Sequence, residues 1–219
     1  QAAGIPLVFR TGGTSLSGQS ITDGVLVDLS RFWNRITIEE EGNRVRVQPG
    51  ITGAMVNARL KQFKRKIGPD PSSINAAMMG GILSNNASGM CCGVQLNSYH
   101  TTRYIRFMLT NGLVFSTEIN EDYDRFLAAC KHLADELTAI RQEITANGGL
   151  YEMIRRKYQT KNTVGYSLNA FIDYTHPLDI FAHLLIGGEG TLAFISEAVL
   201  DTVPDEPCKT TALLYFPDI

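Results

Sequence analysis

The sequence predicts a fold of mixed α and β class. Two short apolar runs, residues 5–9 and 24–29, have the composition of buried strands and flank a segment of Gly, Ser and Thr. Residues 123–146 place apolar side chains at helical spacing, which predicts a long amphipathic helix. An Asn-Gly pair at residues 111–112 lies between two further strand-like runs and is typical of a β-hairpin turn. Strands and helices are therefore both expected to contribute to the core.

The composition is that of an ordinary globular protein. The chain has 219 residues, 44% of them hydrophobic and 19% charged, enough for one large domain or two small ones. Its net charge of −2 is no electrostatic reason to expect nucleic acid or an acidic membrane surface as a partner. The sequence shows no signal peptide, and no apolar run approaches the roughly 18 to 20 residues that span a bilayer. Because Gln1 directly precedes a predicted strand, we expect a piece of a longer protein, cut at both ends.

Residues 10–20, between the first two predicted strands, are the strongest candidate for a ligand site. Their glycines permit positive φ angles, which point successive backbone N–H groups into one concavity, and their hydroxyls add donors. Such a concavity favours a phosphate or pyrophosphate. The segment is not a P-loop, since no Gly-Lys-Ser/Thr follows, and not the dinucleotide fingerprint, since a strand follows where a helix is required. Its composition alone is equally typical of a mobile hairpin loop.

Alternation and capping predict the next elements. Residues 44–50 alternate polar and apolar side chains and are predicted to form a strand that ends at a Pro-Gly pair. Thr52 is a good N-cap for a helix over residues 53–66, whose basic C-terminal end is expected to be solvated. The apolar face of this helix is expected at Met55, Leu60 and Phe63.

Two prolines in residues 68–73 predict a rigid extended loop. The polar residues 84–88 either contact a ligand or form a turn. The remaining predicted elements are a short helix that begins near Gly80 and Gly81, helices over residues 151–158 and 179–185, and a strand over residues 192–200.

The cysteines and histidines show no metal-ligand spacing, and no metal site is predicted. Cys91 and Cys92 are adjacent and poorly suited to chelate one ion together. The cysteines are therefore expected to be reduced thiols in the cytoplasm, with a redox role for this pair as the alternative. The other members of the two sets are Cys130, Cys208, His100, His132, His176 and His183.

Three glycine-rich segments in a fixed order carry a family resemblance. The first is Phe-Arg-Thr-Gly-Gly-Thr-Ser-Leu-Ser-Gly at residues 9–18. The second runs from Pro-Asp-Pro-Ser-Ser at residue 69 through Met-Gly-Gly to Asn-Asn-Ala-Ser-Gly at residue 89, and the third is Gly-Gly-Glu-Gly-Thr-Leu-Ala-Phe-Ile-Ser-Glu-Ala at residues 187–198. Together they resemble the FAD-binding portion of FAD-linked oxidases of the vanillyl-alcohol oxidase and p-cresol methylhydroxylase (VAO/PCMH) type. The closer resemblance is to the D-lactate, glycolate and D-2-hydroxyglutarate dehydrogenase branch. Residues 162–170 also resemble large bacterial members in which this module is joined to an iron–sulfur segment.

This resemblance implies an α+β fold in which two subdomains of the PCMH/VAO type hold an extended FAD between them. The smaller FAD-binding subdomain is expected over residues 1–70, without its N-terminal part, and the larger over residues 71–205. Residues 206–219 are expected to begin a substrate or cap domain that is otherwise missing.

Positions that match the family motifs are expected to contact FAD. Those expected at the pyrophosphate are Thr11, Gly12, Gly13, Thr14, Ser15, Gly18, Gln19 and Ser20. Those expected along the ribityl chain and isoalloxazine edge are Asp70, Ser73, Gly80, Gly81, Ser84, Asn86 and Ser88. Those expected by the adenosine portion or its wall are Glu189, Gly190 and Ile195. Thr14 stands where members with a tethered flavin carry His, so non-covalent FAD is predicted. His100 is expected either to face the flavin or to serve packing.

The resemblance implies a flavin-dependent dehydrogenase that oxidises a small D-2-hydroxy acid to the 2-oxo acid. Hydride leaves the substrate α-carbon for flavin N5, a base takes the hydroxyl proton, and arginines pair with the carboxylate. The base and the metal-binding histidines of the family usually lie in its C-terminal domain, so no catalytic residue is assigned and this chain alone is expected to be inactive. The expected partners are the substrate and an iron–sulfur segment or another electron-transfer partner, in the cytoplasm or peripheral to the inner membrane.

Two other classes of function stay open. One is a non-catalytic flavin-binding module, and the other is a phosphate-ligand protein in which the glycine-rich segments are structural. A nearer rival is the peptidoglycan reductase that shares this fold and acts on an enolpyruvyl sugar nucleotide. The Asn-Asn-Ala-Ser-Gly and Gly-Gly-Glu-Gly-Thr motifs argue against it.

Overall fold

The computed structural model describes residues 4–208 and 210–218, in which strands and helices both occur, as the sequence predicts. The strands are β1 (Leu7–Arg10), β2 (Val25–Asp28), β3 (Ile36–Glu39), β4 (Arg44–Val47), β5 (Arg65–Ile67), β6 (Thr102–Met108), β7 (Val114–Ser116) and β8 (Phe194–Pro204). The helices are α1 (Gly53–Leu60), α2 (Met79–Ser84), α3 (Ser98–Thr101), α4 (Asn120–Ala129), α5 (Lys131–Ala146), α6 (Gly148–Lys157), α7 (Ala170–Asp173) and α8 (Pro177–Leu184). Two 3₁₀ turns lie at Glu40–Gly42 and Lys61–Phe63.

The larger sheet is antiparallel and is built around β8. Its strands lie in the order β3-β4-β8-β6-β7, and β5 pairs with the last residues of β8. The predicted hairpin is confirmed, since β6 and β7 pair across the Asn-Gly turn with Phe107 opposite Phe115. The division of the chain at residue 70 stays a prediction, and β3 to β5, which precede that residue, hydrogen-bond within the sheet of β8.

An aromatic cluster joins this sheet to the helices. The rings of Phe107 and Phe115 on the sheet lie 5.2 Å and 5.1 Å from those of Phe181 on α8 and Phe126 on α4, respectively. All four side chains are buried. Because aromatic side chains remove large apolar areas from water, this cluster fixes α4 and α8 against the sheet.

The predicted helix over residues 123–146 is wrong in one respect, since the structure contains two helices there. Cys130 separates α4 from α5 with φ −122° and ψ 37°, outside the helical region. The backbone bonds continue across it, from Cys130 N–H to the Phe126 carbonyl and from Ala134 N–H to the Cys130 carbonyl. Apolar spacing is preserved on both sides of such a break, so periodicity alone does not reveal it.

The predicted helix over residues 53–66 ends early. Thr52 caps α1 as predicted, but Lys64 adopts the left-handed region with φ 54°, and the following residues form β5. Arg65, expected to be solvated at a helix end, donates from Nε to Thr202 Oγ1 at 2.6 Å. Pairing with β8 therefore outweighs local helix propensity.

The expected apolar face of that helix is only partly correct. Leu60 is fully buried, whereas Met55 is 49% exposed and Phe63 is 37% exposed. Val56 takes the inward position instead. The predicted face is displaced by one residue at Met55, because Val56 lies four residues before Leu60 and therefore shares its face, whereas Met55 lies five residues before it.

Strands β1 and β2 form a separate parallel pair, with Leu7 opposite Val25. Both strands are confirmed, but their predicted burial is wrong, since these two side chains are 55% and 49% exposed. Parallel pairing also excludes a hairpin for residues 11–24, which instead form a crossover. Phe9 links the pair to the larger sheet by stacking on Phe194, with ring centroids 4.2 Å apart.

Candidate functional site

The first glycine-rich segment lies directly on the second. A Cβ added to Gly12 would stand 2.4 Å from the Ala76 carbonyl oxygen. A Cβ added to Gly80, at the start of α2, would stand 2.9 Å from Thr11 Cγ2 and 2.7 Å from Pro49 Cβ. The Gly12 contact is to backbone and the Gly80 contacts are to short side chains, and real Cβ atoms do not approach either so closely. Glycine at these positions therefore allows the two segments to approach each other.

One carboxylate joins all three segments. Glu189 accepts from Gln19 Nε2 at 3.2 Å and from Asn85 Nδ2 at 2.5 Å. Its own N–H donates to the Ser84 carbonyl at 2.8 Å, and its backbone adopts φ 52°. A left-handed conformation at a residue other than glycine is uncommon and persists where surrounding contacts hold it. The three motifs are therefore assembled around one side chain.

The first segment presents unpartnered backbone donors. The N–H groups of Gly12, Gly13 and Thr14 donate to no other described residue, whereas those of Ser17 and Ile21 bond within the segment. Gly13 has φ 62°, and residues 14–18 are exposed. Consecutive free N–H groups with one residue in the left-handed region form the concavity that binds anions. This geometry fits a phosphate or pyrophosphate.

Arg10 adds a positive charge beside these donors. A Cβ on Gly13 would lie 2.7 Å from Arg10 Nη2, so the guanidinium covers this part of the segment. Arg10 lies in the segment predicted to bind a ligand but was not assigned a FAD contact, although a basic residue at the start of a phosphate-type loop is a feature that could have identified it. Arginine binds phosphate oxygens through several N–H groups at once.

In the second segment, backbone N–H groups donate to a carboxylate of the protein itself. Asp70, expected at the flavin, accepts from the N–H groups of Gly89, Cys91 and Cys92 at 2.9, 3.0 and 3.3 Å. A Cβ on Gly89 would stand 1.9 Å from the Asp70 carbonyl oxygen, so this turn also requires glycine. Burial, followed by the Asp70 carboxylate, raises the pKa of the Cys92 thiol. Asp70 thus holds the turn at residues 89–92 in shape.

Two other residues predicted to contact FAD accept hydrogen bonds from the protein through their backbone carbonyls. The Ser73 carbonyl accepts from the N–H groups of residues 76 and 77, and the Ser88 carbonyl accepts from Lys161 Nζ at 2.8 Å. Ile195 belongs to the core, opposite Phe107 on β6. Gly81 does lie at the junction, because a Cβ there would stand 3.1 Å from Thr11 Oγ1.

Asn86 is predicted at the flavin and is buried, with φ 47° and its Oδ1 accepting from Tyr99 N–H at 3.1 Å. His100, considered for the flavin face, is exposed and places Nδ1 2.9 Å from Asn97 Oδ1. The structure brings the first segment, α2 and Glu189 together. The assignment of Ser73 and Ile195 to FAD stays a prediction.

An aromatic-lined cavity of about 270 Å³ is lined in part by Phe194, Ser196 and Glu197 of the third segment. Phe194 and Trp33 stack with ring centroids 4.6 Å apart and line it with Met108, while Gln48 and Arg106 supply polar groups. Phe9 stacks on the same Phe194 ring and stands one residue before Arg10. Such a lining suits a planar ring with hydrogen-bonding edges. Sequence reasoning missed Trp33 because the residue lies far from every glycine-rich motif.

The described residues do not meet the requirements of a metal site, a disulfide or a membrane-spanning helix. They contain no group of three His, Cys, Asp or Glu side chains that could hold a metal ion. All four cysteines are free thiols. Of the helices in the described part of the chain, none combines the length and hydropathy that crossing a bilayer requires.

Known sequences show which family this chain belongs to. A family model described as FAD binding domain matches residues 1–118. The chain is 36% identical over 214 residues to D-2-hydroxyglutarate dehydrogenase of Pantoea ananatis, an alignment that covers 93% of this chain and 20% of that protein. It is 26% identical over 218 residues to glycolate oxidase subunit GlcD of Bacillus subtilis, covering 98% of this chain and 35% of that protein. The chain thus spans about one fifth to one third of these relatives.

Solved structures agree on the fold. The chain superposes on 6-hydroxy-D-nicotine oxidase from Arthrobacter nicotinovorans with a TM-score of 0.56 at 14% identity, covering 93% of this chain and 32% of that one. It superposes on alkyldihydroxyacetonephosphate synthase with a TM-score of 0.53 at 16% identity, covering 90% and 27%. The predicted α+β fold of the PCMH/VAO type is confirmed.

Proposed function

This chain belongs to the FAD binding domain family, and from that premise we propose that it is the cofactor-holding part of a flavin-dependent dehydrogenase acting on a small D-2-hydroxy acid. The family match makes FAD the cofactor. The observation that carries the proposal is the set of free N–H groups at Gly12, Gly13 and Thr14 beside the Arg10 guanidinium. A pyrophosphate carries the charge and acceptor oxygens that such a group of donors requires.

The proposed binding mode divides FAD among three features: the first segment, the aromatic-lined cavity and the second segment. The pyrophosphate lies on the first segment, with Arg10 and the hydroxyls of Thr14 and Ser15 as further donors. The adenine ring lies toward the third segment, where the cavity at Trp33 and Phe194 accepts a planar group. Bound FAD supplies the isoalloxazine ring as hydride acceptor. The chain holds this ring in place through the second segment, whose shape Asp70 maintains.

The bound FAD is proposed to be non-covalent. Thr14 occupies the position at which tethered members of the resembled family carry His, and its hydroxyl is exposed. The four free cysteines are consistent with a reducing compartment, so we place the whole protein in the cytoplasm, peripheral to the inner membrane.

The substrate and the electron partner are proposals for the whole protein. Relatives over nearly the full chain are named for D-2-hydroxyglutarate and glycolate, which supports a 2-hydroxy acid. No catalytic base is assigned to this chain, which spans about one fifth of the Pantoea relative. The rest of the whole protein is proposed to supply the base and an iron–sulfur segment or another electron-transfer partner.

Flavin retention tests the proposal. The purified chain is titrated with FAD, passed through gel filtration and denatured with acid. Retained flavin absorbance that is released on denaturation is the expected result, with an unchanged protein mass. A colourless protein that ignores FAD but binds inorganic pyrophosphate would contradict it and favour a phosphate-ligand protein.

Turnover is tested on the whole protein with D and L enantiomers of 2-hydroxyglutarate and lactate, and with glycolate. Reduction of an artificial electron acceptor with a D-acid is expected, and none is expected from the isolated chain. Retention of FAD without turnover of any 2-hydroxy acid by the whole protein would contradict the substrate proposal and favour a non-catalytic flavin module.

A further inference from the structure

A second, much smaller cavity lies behind the second glycine-rich segment. Its volume is about 10 Å³, and its lining includes Asn86, Asn97, Ser167 and Asn169. These four residues are buried. No Asp, Glu, Lys or Arg is among the residues that line the cavity, and most of the lining side chains carry amide or hydroxyl groups. A cavity of this size admits one water-sized molecule, and only a polar one is stabilised by such a lining.

One buried acceptor in this cavity lacks a partner. Asn169 is 7% exposed, and its Oδ1 has no hydrogen-bond partner among the described residues. Its Nδ2 donates to Asp173 Oδ2 at 3.1 Å. Because an ionised carboxylate only accepts, a flipped amide would place two oxygens against each other, so the orientation is fixed. An unsatisfied buried carbonyl destabilises the folded state, and a donor in the cavity removes that cost.

The neighbouring groups complete a site for a small molecule that both donates and accepts. The Ser167 hydroxyl donates to the Ile186 carbonyl at 2.6 Å, which leaves its lone pairs as acceptors. The Asn86 Oδ1 accepts from Tyr99 N–H, which leaves its Nδ2 as the donor end of that amide. Water matches this set, because it donates twice and accepts twice.

We propose that a single structural water occupies this cavity, donating to Asn169 Oδ1 and Ser167 Oγ and accepting from Asn86 Nδ2. The water joins residues 167–169, far along the chain, to the turn that ends the second glycine-rich segment. That turn contains Asn86 in the left-handed region, a conformation that needs contacts to hold it. The inference stands whether or not the chain binds FAD.

A crystal structure of the wild-type chain at a resolution that shows ordered water tests this directly. One density peak within hydrogen-bond distance of Asn169 Oδ1 is the expected result. An empty cavity, or an Asn169 Oδ1 bonded to another protein group, overturns the proposal. A rubidium soak distinguishes the other small occupant, since an anomalous peak in the cavity identifies a monovalent cation and overturns the assignment to water.

Two variants separate the cavity from its surroundings. In Asn169→Leu the acceptor is removed, and the density peak is expected to disappear. In Asp124→Ala, at an exposed position outside the cavity lining, the peak is expected to persist. A peak that survives in Asn169→Leu contradicts Asn169 as its ligand. The wild-type map decides the proposal if either variant fails to fold.

Discussion

The first and second glycine-rich segments have similar compositions but place their backbone donors differently. In the first, consecutive N–H groups at Gly12, Gly13 and Thr14 have no partner among the described residues. In the second, the donors of the turn at residues 89–92 converge on Asp70. In both segments several N–H groups surround one anion. In the proposed site that anion is a phosphate of the ligand, and in the second segment it is the Asp70 carboxylate. Glycine content therefore indicates close backbone approach and leaves open which anion is held.

The largest effect is expected for Gly12→Ala, which tests whether the first segment must lie on the second. The added Cβ meets the Ala76 oxygen at 2.4 Å, so the segment has to shift and its donors lose their arrangement. FAD affinity is expected to fall about tenfold or more, measured by fluorescence titration, for a loss of at least about 1.4 kcal/mol. Gly148→Ala is the matched control, since a Cβ there meets nothing within 4 Å. Equal affinity in both variants would contradict the docking.

Asp70→Ala tests whether Asp70 stabilises the turn at residues 89–92 or contacts the ligand. Three N–H groups lose their acceptor, and the free energy of unfolding of the FAD-free chain is expected to fall by about 1–3 kcal/mol. Urea unfolding without FAD measures this, with the exposed Asp124→Ala as control. If Asp70→Ala leaves the stability unchanged and weakens only FAD binding, Asp70 is a ligand contact and the contrast between the segments fails.

Arg10→Gln tests the charge beside the first segment. We expect FAD affinity to fall several-fold, about 1 kcal/mol, because the guanidinium is exposed and its attraction is screened. The wild-type affinity should also decline more steeply with added salt than that of the variant. Arg59→Gln, on the last turn of α1, is the matched control. A variant with wild-type affinity and salt dependence would remove Arg10 from the site.

The smallest effect is expected for His183, on helix α8. His183 is buried, with Nδ1 2.9 Å from the Asp179 carbonyl oxygen and Nε2 2.8 Å from Tyr174 OH. Burial lowers its pKa below the ordinary 6.5, so the unfolded chain binds more protons as the pH falls through 6.5. The stability of the folded state is therefore lost progressively below that pH.

His183→Gln is expected to flatten this acid loss in melting experiments, while His132→Gln, at an exposed position on α5, should leave it unchanged. FAD affinity at neutral pH should not respond to His183→Gln. A parallel decline in the wild type and the His183 variant would show that other groups control the acid sensitivity.

Local chemistry explains what could be predicted from the sequence. The turn at Asn111 and Gly112 and the Thr52 cap depend on a few adjacent residues, and the structure contains both of them. The order of the three glycine-rich motifs identified the family. Because glycine permits a close approach of the backbone, Gly12 and Gly80 could be predicted as site residues from the sequence alone.

Long-range pairing explains the rest. Strand β5 exists because β8 provides a partner more than a hundred residues away, and local propensity there favours a helix. The exposure of Leu7 depends on what packs against β1, which apolar composition does not specify. Trp33 enters the site through a tertiary contact alone, by stacking on Phe194.

The position of Glu189 has a consequence for the order of folding. Its two side-chain partners, Gln19 and Asn85, stand 170 and 104 residues away in sequence. Closing such long loops is entropically costly, so this junction is expected to form late, after β8 has paired. In stopped-flow refolding, FAD fluorescence should therefore change only after the aromatic core has formed. During synthesis, the cofactor is expected to load only after Glu189 and strand β8 have emerged from the ribosome.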